Sequence, residues 1–251
     1  MGTGDKHSAS SGEIRAPSIN ELTRLAHKRL QKGDLQGAME HYERAVEGAK
    51  LTSDPTVKIS SYLNAGACLV SLGHYRRGLG LLESACKLLK KTGIIAFDRD
   101  TELDHIQKKS SPMSQSKPRD RQLLEMGADV YFNTAVAAQG LHDYKKSTSC
   151  FKISIDLYLK AGTKQHAADG FSSLAGCYQE TDQLEQEIAS LASAQQLYNE
   201  LEDSGNEAMM SMELAKVYLR VGRKEECKQM ITTAKLQALR VDDPRTQGTE
   251  S

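Results

Sequence analysis

Seven histidines and five cysteines are the side chains of this sequence best suited to bond-making chemistry, and their spacing argues against it. No H-E-x-x-H places two imidazoles on one helical face, and no histidine pairs with a cysteine at zinc-site spacing. No G-x-S-x-G surrounds a serine, and no G-x-x-x-x-G-K-[ST] loop offers backbone N–H groups to a phosphate. Adjacent carboxylates occur at Glu225-Glu226 and Asp242-Asp243, but both pairs fall in turn or tail sequence, where solvated charge is the expectation. No catalytic residue, metal ligand or cofactor is expected. What remains for this chain is recognition by shape.

Composition narrows the partners. Lysine plus arginine and aspartate plus glutamate both total 33, so the formal net charge is zero. A nucleic-acid binder normally carries a basic stripe, so that class is disfavoured. No run of 18 apolar residues is present, so no membrane span is expected. No positively flanked apolar leader opens the chain, and Cys68, Cys86, Cys150, Cys177 and Cys227 are odd in number and dispersed. Reduced thiols and a cytoplasmic location are the expectation. Oligomeric state leaves no trace in the sequence.

The elements that carry any recognition surface are repeated helical hairpins. Residues 62–85, YLNAGACLVSLGHYRRGLGLLESA, read as two amphipathic helices joined by a turn at Gly73-His74. Tyr62, Gly66 and Leu69 lie on one stripe, and Gly78, Leu82 and Ala85 on another. Glycine in a helix interior costs about 1 kcal/mol relative to alanine, so Gly66 and Gly78 imply close approach of two helix backbones. Four further copies align on a small residue: Ala26, Ala135, Ala175 and Ala215 join Gly66. The steps between these five are 40, 69, 40 and 40 residues. His74 and His142 are expected in equivalent turns. The last helix is expected to bury Cys227, Ile231, Ala234 and Ala238, with Leu236 and Leu239 off that stripe.

This pattern resembles the tetratricopeptide repeat (TPR) family. Leu22-Leu25-Ala26 with Ala38-Tyr42-Ala45 carries the motif in the first repeat, and Phe171-Leu174-Ala175-Tyr178 with Leu191-Ala194 in the fourth. The 40-residue period is similar to the long-repeat subclass of LGN/Pins-type proteins and kinesin light chain. Ser211, Glu187 and Cys227 depart from the motif. The resemblance implies an all-α, right-handed superhelical solenoid of about five helix-turn-helix repeats with one long insertion. The expected plan is a tail over 1–17, repeats at about 18–52, 55–92, 121–161, 164–203 and 206–241, an insertion over 93–120, and a tail over 242–251.

In such a solenoid the first helix of each hairpin lines a concave groove. By register the groove takes Arg24 from the first repeat, Leu63 and Asn64 from the second, and Phe132 and Asn133 from the third. Ser173 and Met212 follow from the fourth and fifth, and His27, Val136 and Lys216 lie one turn further on. The resemblance implies that Asn64 and Asn133, at equivalent positions, hydrogen-bond the backbone of a bound peptide. The expected function is a non-enzymatic scaffold or adaptor that holds a protein partner in this groove. The alternatives are an Hsp70/Hsp90-type co-chaperone or a regulatory subunit of an enzyme complex. The co-chaperone would need a basic clamp, whereas the matching places hold Ser60, Asp129, Asp169 and Ser173, with only Arg24 cationic. In the insertion, Ser110 and Ser111 follow Lys108-Lys109 and are expected phosphorylation sites, where a phosphate would add roughly two negative charges beside a basic run.

Overall fold

The computed structural model describes residues 17–93 and 118–241. Residues 1–16 and 242–251 of the expected tails, most of the insertion, and with it Ser110 and Ser111, lie outside the described residues. Ten α-helices and no strand occur among those described: α1 Ile19–Leu30, α2 Leu35–Leu51, α3 Pro55–Ser71, α4 Tyr75–Thr92, α5 Pro118–Gly140, α6 Tyr144–Ala161, α7 Lys164–Glu180, α8 Leu184–Glu200, α9 Ser204–Arg220 and α10 Lys224–Val241. Consecutive helices pair as hairpins, and each second helix packs on the first helix of the next hairpin.

Local sequence explains the ends of the helices. Ser18 and Glu21 form a reciprocal capping box, the Ser18 N–H donating to Glu21 Oε2 at 2.7 Å and the Glu21 N–H to Ser18 Oγ at 3.3 Å. Asp54 caps α3 ahead of Pro55, and Asp34, Asp143 and Asp203 cap α2, α6 and α9. Helix α5 begins at Pro118, so the last three residues of the expected insertion are helical. Proline suits a first helical turn, and Asp120 meets the positive end of the helix dipole.

Every hairpin closes with one turn. The seventh residue after the shared small residue is left-handed in all five: Gly33, Gly73, His142, Asp182 and Gly222. The next amide donates six-to-one to a helix carbonyl: Asp34 to Arg29, His74 to Leu69, Asp143 to Ala138, Gln183 to Tyr178 and Arg223 to Tyr218, at 2.8–3.0 Å. His142 therefore corresponds to Gly73, not to His74. The recurrence of the turn explains why the period survives large changes in side chain.

The core follows the shared positions. Gly66 and Gly78 mark the contact of α3 with α4: a Cβ on Gly78 would lie 2.9 Å from the Gly66 carbonyl oxygen, and one on Gly66 would lie 2.7 Å from Leu82 Cγ. At the place of Gly78, α6 has Ser147, whose hydroxyl donates to the Ala135 carbonyl at 2.9 Å. The motif departures are polar and partnered. Buried Glu187 pairs with Arg220 of α9. Fully buried Ser211 accepts from Gln195 at 2.7 Å and donates to Gln237 at 2.8 Å. Gln237 thus takes the inward place on α10 and Ala238 is exposed, correcting the expected stripe. Ala238 stands where Tyr158 and Tyr198 are covered by a following repeat, and among the described residues no further helix follows α10.

Candidate peptide-binding face

The first helices α1, α3, α5, α7 and α9 bring the predicted residues onto equivalent turns, and their surroundings divide them. Leu63 and Val136 are half-buried against the core. Phe132 meets Phe151 edge-on at 5.4 Å and Tyr158 at 6.5 Å between centroids, so much of its ring is spent on packing. Met212 is exposed, as are Met209 and Leu219 on the same helix. Arg24 and His27 are exposed on α1, where the His27 ring meets Tyr42 edge-on at 5.9 Å. Lys216 pairs with Glu213 at 2.6 Å. The Ser173 hydroxyl donates to its own helix at Asp169 O, 2.9 Å away.

The two asparagines differ. Asn133 is half-buried, and its Nδ2 donates to the Asp129 carbonyl at 2.9 Å, which leaves one amide hydrogen and the amide oxygen. Asn64 is half-buried, with no hydrogen-bond partner for its side chain among the described residues. Asn64 therefore has the freer amide.

Asp129 and Asp169, named in the sequence only as places without a basic clamp, are held by two tyrosines that the repeat motif does not point to. Tyr158 of α6 donates to Asp129 Oδ1 of α5 at 2.7 Å, and Tyr198 of α8 donates to Asp169 Oδ1 of α7 at 2.6 Å. The two pairs are 40 residues apart in both members, a signal as periodic as the small residue. Burial holds the Asp129 carboxyl above its ordinary range, opposed by the Tyr158 hydrogen bond. Burial, then the charge of Asp129 and more weakly that of Asp169, drives the Tyr158 phenol far above its usual value. Both carboxylates therefore act on one hydroxyl.

An open concavity lies elsewhere. An open cleft of about 1080 Å³ is bounded by α2 and α4 and by the start of α1, with Pro17, Ile19, Val46, Gly48, Tyr62 and Gly80 in its wall. None of the ten predicted groove residues lines it. Helix α1 begins seven residues before its small residue, whereas α3, α7 and α9 begin eleven before theirs, so one turn is missing where the cleft opens. No group of three or more histidine, cysteine, aspartate or glutamate side chains gathers as a metal site among the described residues. Burial pushes the Cys150 thiol up to about 12 and raises that of Cys86, which keeps both protonated at neutral pH. No described helix is long and apolar enough to cross a membrane.

No family model matches the sequence, and no curated relative does. Solved structures do match. BtubC (BKLC) from P. vanneervenii superposes with a TM-score of 0.68 at 15% identity, over 93% of this chain and 82% of that one. A putative kinesin light chain of Podosopora anserina, with nearly identical TPR-like repeats, gives 0.64 at 16% identity over 89% and 96%. MamA gives 0.59 at 14% identity over 87% and 96%. At these identities the likeness speaks for architecture alone, and the architecture is a TPR-type helical-repeat solenoid.

Proposed function

We propose that this protein is a non-enzymatic adaptor that holds an extended segment of a partner protein along its first-helix face. The observation that carries the reading is the pair Asn64 and Asn133. Both sit half-buried at the same place in their repeats, and both retain amide groups for a ligand backbone. Exposed Met209, Met212 and Leu219 at the α9 end supply apolar contacts for an extended chain. We read the 40-residue step as that of the long-repeat subclass, and the setting as cytoplasmic. The co-chaperone reading is not favoured, because Asp129 and Asp169 occupy places where a carboxylate-gripping clamp needs cations.

The test is affinity capture with intact protein beside the double variant Asn64→Ala/Asn133→Ala. Two hydrogen bonds at about 0.5–1.5 kcal/mol each should weaken captured partners by roughly ten- to a hundredfold. Thermal melting should stay almost unchanged, since neither side chain closes a helix contact. Partners retained at full affinity with both asparagines removed would end this reading.

A further inference from the structure

Among the described residues, neither Asp129 nor Asp169 has a lysine, arginine or histidine within ion-pair distance. Each carboxylate is half-buried and accepts from a neutral tyrosine hydroxyl, and Asp169 Oδ1 also accepts from the Gln165 amide at 3.5 Å. A desolvated carboxylate without a counter-charge is costly, and an arriving cation offsets that cost. The other titratable groups here are His166, stacked on Tyr158 at 5.2 Å, whose charge weakly favours ionised Asp129 without pairing with it, and Glu125, which opposes it and pairs with Arg121. The middle of the first-helix face is thus acidic on α5 and α7, while the equivalent places on α1, α3 and α9 hold Asn20, Ser60 and Met209.

Spacing selects the ligand. Tyr158, which donates to Asp129, also feels the charge of Asp169, so the two carboxylates stand on either side of one ring, at about one helix diameter, roughly 10 Å. An extended chain advances about 3.3 Å per residue, so three residues cover that distance. Resting on the groove reading above, we infer that the partner segment crosses α5 and α7 in extended form and carries lysine or arginine at positions i and i+3. One cation reaches Asp129 and the other Asp169. The tyrosine hydroxyls hold each carboxylate in place before the partner arrives, which lowers the ordering cost of binding.

Fluorescence anisotropy on the full chain tests this with three degenerate dodecamer pools, in which one central i, i+3 pair is fixed as lysine, alanine or glutamate. The lysine pool should bind about tenfold more tightly than the alanine pool, and the glutamate pool most weakly. Sodium chloride at about 0.5 M should narrow the ranking without erasing it, because half-buried charge pairs are screened less than exposed ones. Asp129→Asn/Asp169→Asn keeps an oxygen for each tyrosine hydroxyl, so it should melt near the parent temperature while losing the lysine preference. Asp169→Asn alone serves the same purpose if the double variant melts early. Lysine and alanine pools of equal affinity for the parent protein would overturn the inference, as would a lysine preference that survives both substitutions. Asn64→Ala/Asn133→Ala should weaken all pools alike and leave their ranking intact. Loss of binding there without a lysine preference in the parent would sink the cation inference and spare the groove.

Discussion

The second hairpin and the two that follow it solve the same packing problem with different chemistry. Between α3 and α4 glycine serves throughout: Gly66 and Gly78 let the backbones touch, and Gly73 takes the left-handed turn. In the third and fourth hairpins polar side chains replace it. Ser147 donates to a backbone oxygen where Gly78 would only touch one, and His142 and Asp182 occupy the turn. Tyr158 and Tyr198 then tie the far ends of these hairpins to Asp129 and Asp169, where the second hairpin has Leu89 and Ser60. One geometry thus admits a glycine solution and a hydrogen-bonded one. The second also leaves ionisable groups on the ligand face.

Five substitutions would break or sharpen this contrast. The largest effect belongs to the glycine contact. Leucine at Gly66 or Gly78 should cost about 1–3 kcal/mol or more by overpacking. Gly78→Leu should cost more, because its nearest obstacle is a main-chain oxygen at 2.9 Å that cannot rotate away, while Leu82 can yield to a side chain at Gly66. Far-UV circular dichroism melts report both, and equal melting temperatures in parent and variants would place the contact elsewhere. Next comes Tyr198→Phe, which removes the hydroxyl held by Asp169 and should cost about 1–2 kcal/mol. Urea unfolding measures it, and no loss would mean that the fourth hairpin closes without this bond. The smallest effect is expected at the turns. Asp182→Gly relieves a left-handed conformation at the price of unfolded-chain entropy, for a net gain of a few tenths to about 1 kcal/mol. Gly73→Ala should lose about as much. A gain at Gly73 would contradict its positive φ.

How much of this was legible depended on periodicity. The small residue, the turn glycines and the Asp54-Pro55 start recur or carry local chemistry, so they could be read directly. The tyrosine–aspartate pairs recur too, but a motif centred on the first helix looks past a partner 29 residues away in the second. Glu187 and Ser211 read as flaws because their compensation by Arg220 and Gln237 exists only once the helices stack. Ala238 was misplaced for a related reason: its position is buried only when another repeat covers it. The groove asparagines were named from register, and register alone cannot show that Phe132 is already engaged by Phe151.

The cleft beside α1 has a mechanical meaning. A solenoid transmits load only from each repeat to the next, so its strength is that of its weakest joint. Gly48 stands where Leu88, Leu157 and Leu197 stand in the next three repeats, and α1 is a turn short on the same side. The first hairpin is therefore joined to the array through Met39, Tyr42 and Val46 packed with Ala65, Cys68 and Leu69, without a leucine at this place. Pulled from its two ends, the array is expected to yield first at the joint that lacks this leucine, which a single-molecule stretching trace would report as one early step of two helices' length.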